Sequence, residues 1–178
     1  ILLTVGGGNE KSAVLLRKWI AATELLSRNL GPVHAICGPL MSAEDKASVY
    51  RMAHEGVTLY DSMPNMDLLI QQSQAIVCMG GYNTLIEALS LKKPVLSFAC
   101  GTHDDQHFHT EQFSERGLLV KGNADWFPHE IARAIEKLLN FSPGMSIAID
   151  GAENTAQILR QAYASPEYRH EVPRPLLA

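Results

Sequence analysis

One pattern recurs six times along the chain: a short apolar run, a turn built from glycine or polar residues, and a stretch with helical spacing of its apolar positions. Residues 1–5, 33–37, 57–60, 75–79, 94–98 and 118–120 read as strands. Residues 12–29, 42–54, 65–72, the run restarting after Gly81, and 104–116 read as the helices between them. Strands that are apolar throughout are covered on both faces, and strands separated by helices pair in parallel through right-handed crossovers. The expected fold is therefore α/β: a Rossmann-like, doubly wound domain of about six parallel strands with helices on both faces. Two further helical patterns, 126–140 and 151–164, are expected to close a domain spanning 1–164. The remainder, 165–178, carries three prolines and little periodicity and is expected to be a tail.

In doubly wound sheets ligands bind outside the carboxyl ends of the strands where the strand order reverses, which for six strands lies between the first and the fourth. Both glycine turns fall there. Gly6-Gly7-Gly8-Asn9 follows the first strand, and Gly80-Gly81-Tyr82-Asn83-Thr84 follows the fourth. Glycines let backbone N–H groups approach an anion, and a helix N-terminus adds partial positive charge, so the second turn suits a phosphate. Asn83 or Thr84 can cap the helix that follows. Glu87, three residues after Thr84, fits either a capping box or a carboxylate that accepts hydrogen bonds from sugar hydroxyls. The first turn matches neither the G-x-G-x-x-G dinucleotide fingerprint nor a P-loop, which argues against NAD binding and ATP hydrolysis.

Composition narrows the partners. A net charge of −4 and a pI near 6.0, with basic residues scattered, exclude the electrostatic footprint of a nucleic-acid binder. Cys37, Cys78 and Cys100 are odd in number and lie in or beside apolar runs, as reduced buried thiols of a cytoplasmic protein would. No apolar run reaches the length of about 18 residues that spans a bilayer. The chain opens on Ile1 in the middle of a strand-like run, so a fragment lacking a preceding domain is expected.

Taken together, the turn after the first strand, Asp61-Ser62-Met63-Pro64-Asn65-Met66, the Gly80–Thr84 turn with Glu87, and the run from Pro94 through Asp105-Gln106 resemble the C-terminal, donor-binding half of GT-B glycosyltransferases. The similarity is to the family 28-like branch that includes the peptidoglycan N-acetylglucosaminyltransferase; it covers about 1–140 and is most specific over 75–117. It implies that Gly80, Gly81, Tyr82, Asn83 and Thr84 hold a donor diphosphate and that Glu87 binds the ribose hydroxyls. It further implies that Asp105 and Gln106 contact the donor sugar, that Gly7, Gly8 and Asn9 line the diphosphate and acceptor entrance, and that Ser62 and Met63 read the base. Met79 stands where the peptidoglycan enzyme has arginine, and Phe98-Ala99-Cys100 lacks the family's proline-centred loop.

The implied activity is metal-independent hexosyl transfer from a nucleotide diphosphate sugar, UDP-N-acetylglucosamine in the first instance. No cofactor and no catalytic base are expected in this half, since in the family the base usually belongs to the other domain. The implied partners are the donor and an N-terminal acceptor domain or partner subunit, with peripheral membrane association if the acceptor is a lipid. The alternatives are a GT-B-type nucleotide-sugar hydrolase or epimerase, and the binding subunit of a split transferase. Simpler roles compete at several residues. His103 and His107 can share a helix face, yet no third or fourth metal ligand is evident in the sequence. Glu10-Lys11 reads as a surface pair, Met63, Met66 and Met79 as packing, Asp61 and Asp67 as turn and cap residues, and Trp126-Phe127 as core edge.

Overall fold

The structure is a computed structural model that describes residues 1–26, 31–100, 104–144, 147 and 149–164. The expected extension of the first helix to Asn29, His103 of the His103–His107 pair and the 165–178 tail lie outside the described residues.

Six strands alternate with helices: β1 (Leu2–Thr4), α1 (Glu10–Glu24), β2 (Val33–Ile36), α2 (Ala43–Tyr50), β3 (Val57–Tyr60), α3 (Met66–Gln72), β4 (Ile76–Met79), α4 (Tyr82–Ser90), β5 (Val95–Phe98), α5 (Asp104–Glu115) and β6 (Val120–Lys121). They are followed by α6 (Pro128–Leu138) and α7 (Gly151–Ala164). The strands form one parallel sheet in the order β3-β2-β1-β4-β5-β6. The order reverses between β1 and β4, paired in the register Leu2 with Ile76 and Thr4 with Cys78.

Alternation along each strand divides the core in two. Leu3, Val77, Leu96 and Phe98 face the side covered by α1 and α6, where Trp19, Ile20, Ile131 and Ile135 are buried with them. Leu2, Ile76, Cys78 and Val95 face the other side, against Ile70 of α3 and Leu85 and Leu89 of α4. A sheet buried on both faces tolerates no polar alternation, which is why the strand sequences read as unbroken apolar runs. The last strand is shorter and later than expected: Leu118 and Leu119 are buried in the second core, and only Val120 and Lys121 join the ladder, on β5.

The chain divides into two compact units, Ile1–Ile147 and Ala148–Ala178. The first holds the sheet and α1 to α6. Within the second, α7 buries none of its residues, and Ile158, Leu159 and Tyr163 are exposed. No helix among the described residues is long and apolar enough to cross a membrane.

Candidate functional site

The two glycine turns leave neighbouring strands at the same end of the sheet. Because β1 and β4 are neighbours, the loop leaving β1 emerges beside the turn leaving β4, and Ser12 in the first turn of α1 lies with its Oγ 3.4 Å from Met79 Sδ. The first loop is shaped by glycine chemistry: Gly8 has φ +82°, and a Cβ there would sit 2.5 Å from the Cys37 carbonyl oxygen. The loop is pinned to the β2–α2 connection by Leu40 N–H donating to the Gly7 carbonyl at 2.8 Å. Asn9 is the N-cap of α1. Its Oδ1 accepts from Ser12 N–H at 2.9 Å and from the Ser12 hydroxyl at 2.8 Å, and Asn9 N–H donates back to Ser12 Oγ at 3.1 Å. That side-chain oxygen is occupied by the helix, which the sequence reading did not foresee.

The second turn differs from expectation in how the helix starts. Gly81, at φ −67° and ψ 127°, occupies the N-cap position of α4, and Leu85 N–H donates to the Gly81 carbonyl at 3.1 Å as the first helical bond. Asn83 and Thr84 therefore lie inside the first turn and cap nothing, and the Thr84–Glu87 capping box does not form. No side chain caps α4. The first N–H groups of a helix have no intrahelical acceptor, so an uncapped start presents donors and the positive end of the macrodipole to whatever occupies the crevice. By contrast Ser42 caps α2, and Glu130 accepts from Phe127 N–H at the start of α6. Glu87 is exposed on α4, one turn and a half below the glycine turn.

The two glycines of this turn do different work. A Cβ on Gly80 would lie 2.5 Å from Thr110 Oγ1 and 2.6 Å from the Gln106 carbonyl oxygen, so Gly80 exists to let α5 close on β4. A Cβ on Gly81 would meet nothing within 4 Å. The open space belongs to Gly81 alone. The Gly80 contact brings the start of α5, and with it Asp105 and Gln106, against the turn; Asp105 is exposed and Gln106 half-buried. Thr110 also shares a buried hydrogen bond of 2.8 Å with Ser97 of β5, which locks α5 to the sheet.

Ser62 and Met63 follow β3 at the sheet edge, two strands from β1. Ser62 is exposed and Met63 packs against the core beneath α3 and α4. The next element, α3, packs on α4. Asp61, expected as a simple turn residue, instead pairs with Lys46 at 3.4 Å and accepts from the Tyr50 hydroxyl at 3.2 Å. Burial first, then that hydrogen bond, pushes the Tyr50 phenol up from its ordinary pKa. Trp126 packs edge-on against Phe98, at 6.0 Å, as a core-edge residue, while Phe127 is exposed and stacks on His129. No group of three or more His, Cys, Asp or Glu among the described residues is placed to hold a metal ion.

The sequence reading took His109 only as the end of the polar run Thr102–His109 at the mouth of the crevice and gave it no role of its own. His109 lies one turn after Gln106 on α5, its ring 5.2 Å from that of Tyr82, with its Nδ1 buried and unpartnered; the Gln106 Oε1 is likewise buried and unpartnered. The helical spacing from Gln106 was the available signal.

The family model of the glycosyltransferase family 28 C-terminal domain matches residues 2–160. An uncharacterized glycosyltransferase of Methanopyrus kandleri is 27% identical over 163 residues, covering 89% of this chain and 44% of the relative. Among solved structures, MurG of Acinetobacter baumannii superposes with a TM-score of 0.72 at 12% identity, over 90% of this chain and 49% of that one. The glycosyltransferase VinC, solved in complex with dTDP, superposes with a TM-score of 0.58 at 21% identity, over 91% of this chain and 37% of that one. The chain thus spans about half the length of such relatives or less. With the doubly wound sheet, the neighbouring glycine turns and a family match running nearly end to end, this chain belongs to the glycosyltransferase family 28 C-terminal domain family, one half of a GT-B fold.

Proposed function

We propose that this domain binds the donor in a glycosyl transfer, holding a nucleotide diphosphate sugar, UDP-N-acetylglucosamine, while its sugar passes to an acceptor. The observation that carries this reading is the uncapped N-terminus of α4 behind the open Gly81, at the point where the sheet order reverses. In the transfer the bond from the anomeric carbon to the phosphate oxygen breaks, and the electron pair stays on the departing diphosphate. Backbone N–H groups of Tyr82, Asn83 and Thr84 and the helix dipole stabilise that charge as it develops. Glu87, freed from capping, accepts from the ribose hydroxyls. Asp105 and Gln106 meet the sugar, Gly7, Gly8 and Asn9 border the diphosphate and the acceptor entrance, and Ser62 and Met63 meet the base. The proton of the acceptor hydroxyl goes to a base on the other half of the enzyme, a preceding domain or partner subunit, where the acceptor is bound. A lipid acceptor would add peripheral membrane association.

Calorimetric titration of the chain with UDP-N-acetylglucosamine, UDP and GDP tests this. Uridine-selective binding that is lost in Glu87→Ala, and weakening by Gln106→Ala of the sugar-bearing ligand alone, are the expected results. Absence of binding to any of the three by folded protein refutes the reading. Release of free sugar by the full-length enzyme without acceptor would instead favour a hydrolase built on the same site.

A further inference from the structure

Beside the uncapped start of α4 the structure assembles a small surface that a diphosphate would not use. Tyr82, the first helical residue after Gly81, is 53% exposed, and its ring lies 5.2 Å from His109 of α5 at an interplanar angle of 50°. Phe108, also exposed, packs edge-on to the same His109 at 5.9 Å. One turn earlier on α5, Gln106 carries a buried Oε1 with no hydrogen-bond partner, and His109 Nδ1 is in the same state.

The chemistry of the unpartnered atoms selects the ligand. Gln106 Oε1 accepts hydrogen bonds, and so does His109 Nδ1 in its Nε2–H tautomer. A phosphate oxygen offers no proton to either. In that tautomer both call for a donor, and a buried acceptor left without one is destabilising. A pyranose ring supplies what is missing, since it pairs hydroxyl donors with an apolar C–H face that packs on an aromatic ring. We infer that Tyr82 is the platform for the C–H face of the donor hexose, backed by His109, and that Gln106 Oε1 and His109 Nδ1 accept from its hydroxyls. This rests on the reading of the α4 N-terminus as the diphosphate site, and adds two side chains, the Tyr82 ring and the His109 imidazole, that decide which sugar is held there. Both acceptors lie out of solvent, so the Gln106 amide and the His109 ring turn toward the crevice to meet the hydroxyls while the Tyr82 ring keeps its place beside His109.

The test compares UDP with UDP-N-acetylglucosamine by titration calorimetry on the full chain. Tyr82→Ala is expected to weaken UDP-N-acetylglucosamine about tenfold while UDP changes less than about twofold, and Tyr82→Phe to keep both at wild-type affinity because the ring, not its hydroxyl, makes the contact. His109→Leu keeps the apolar backing, removes the acceptor, and is expected to weaken only the sugar-bearing ligand, by about fivefold. Circular dichroism melts confirm that each variant is folded, and Tyr82→Leu gives the same selective loss should the alanine variant fail to fold. Equal losses for UDP and UDP-N-acetylglucosamine, or none for either, overturn the hexose platform while the donor reading stands. A wild-type chain that binds neither ligand overturns the donor reading and the platform with it.

Discussion

Glu87 illustrates how one residue's role turns on where a helix begins. Had α4 started at Thr84, the carboxylate would close a capping box and its removal would cost stability. With Gly81 at the N-cap, Glu87 lies in mid-helix on the exposed face and supports no backbone group. Glu87→Ala is therefore expected to leave the urea midpoint within about 0.5 kcal/mol of wild type, as exposed substitutions generally do, while lowering UDP affinity about tenfold or more by removing a charged acceptor. A loss of stability without loss of binding would restore the capping role. The adjacent glycines separate in the same way. Gly80→Ala drives a Cβ into the Gln106 carbonyl and Thr110, backbone as well as side chain, and is expected to destabilise the fold by about 1–3 kcal/mol. Gly81→Ala meets open space and keeps an ordinary φ, so it is expected to cost less than about 1 kcal/mol, for the poorer N-cap, yet to reduce UDP binding by filling the space before the helix. Thermal melts and titrations of the pair decide both points.

At the scale of elements, Asn9 has a structural duty as well as a proposed one. Its reciprocal bonds with Ser12 fix the first turn of α1, whose inner face carries Trp19 and Ile20 into the core. Asn9→Ala is expected to lower stability by about 1 kcal/mol, and Asn9→Asp, which keeps the capping oxygen, to restore it; urea denaturation reads both. Most elements were legible in the sequence because a sheet covered on both faces demands uninterrupted apolar strands, and those runs are visible as such. The order reversal between β1 and β4 followed from the same reasoning. What stayed hidden was set by tertiary contact. The shift of the last strand from 118–120 to Val120 and Lys121 follows from Leu118 and Leu119 being drawn into the second core, and an apolar run cannot announce which of its members pair. The start of α4 was misjudged because Asn is a stronger capping residue than Gly, so local preference pointed two residues too far, to Asn83. The Ser97–Thr110 bond and the approach of His109 to Tyr82 join residues on different elements and leave no mark in either segment. Asp61 likewise looked like turn chemistry until α2 supplied Lys46 and Tyr50.

At the scale of the whole molecule, burial of thiols couples the fold to pH. Cys78 lies in β4 between Thr4 and Ser97 of the flanking strands, in the core with Ile76 and Leu85, and burial pushes its pKa from 9.0 up to about 12. Cys37 moves in the same direction, through burial first and then the Asp61 carboxylate, with Lys46 opposing. The native state thus keeps the Cys78 proton where the unfolded chain releases it. Below pH 9 both states are protonated and the thiol contributes its full share; above it the unfolded state binds fewer protons, so stability falls with rising pH until the folded thiol itself ionises near 12. The slope from one such group is about 1.4 kcal/mol per pH unit. Lysines and tyrosines titrate in the same interval, so the wild type alone does not isolate the effect, whereas the difference from Cys78→Ala does, because the other groups are common to both proteins. Urea denaturation at about pH 8 and about pH 10 is expected to show the alanine variant less stable by a fixed amount at the lower pH, from the lost packing, with the gap narrowing by about 1.4 kcal/mol at the higher. A gap of the same size at both would mean that the thiol of Cys78 ionises in the folded chain as it does in the unfolded one, and that the β4 layer under the glycine turn admits solvent.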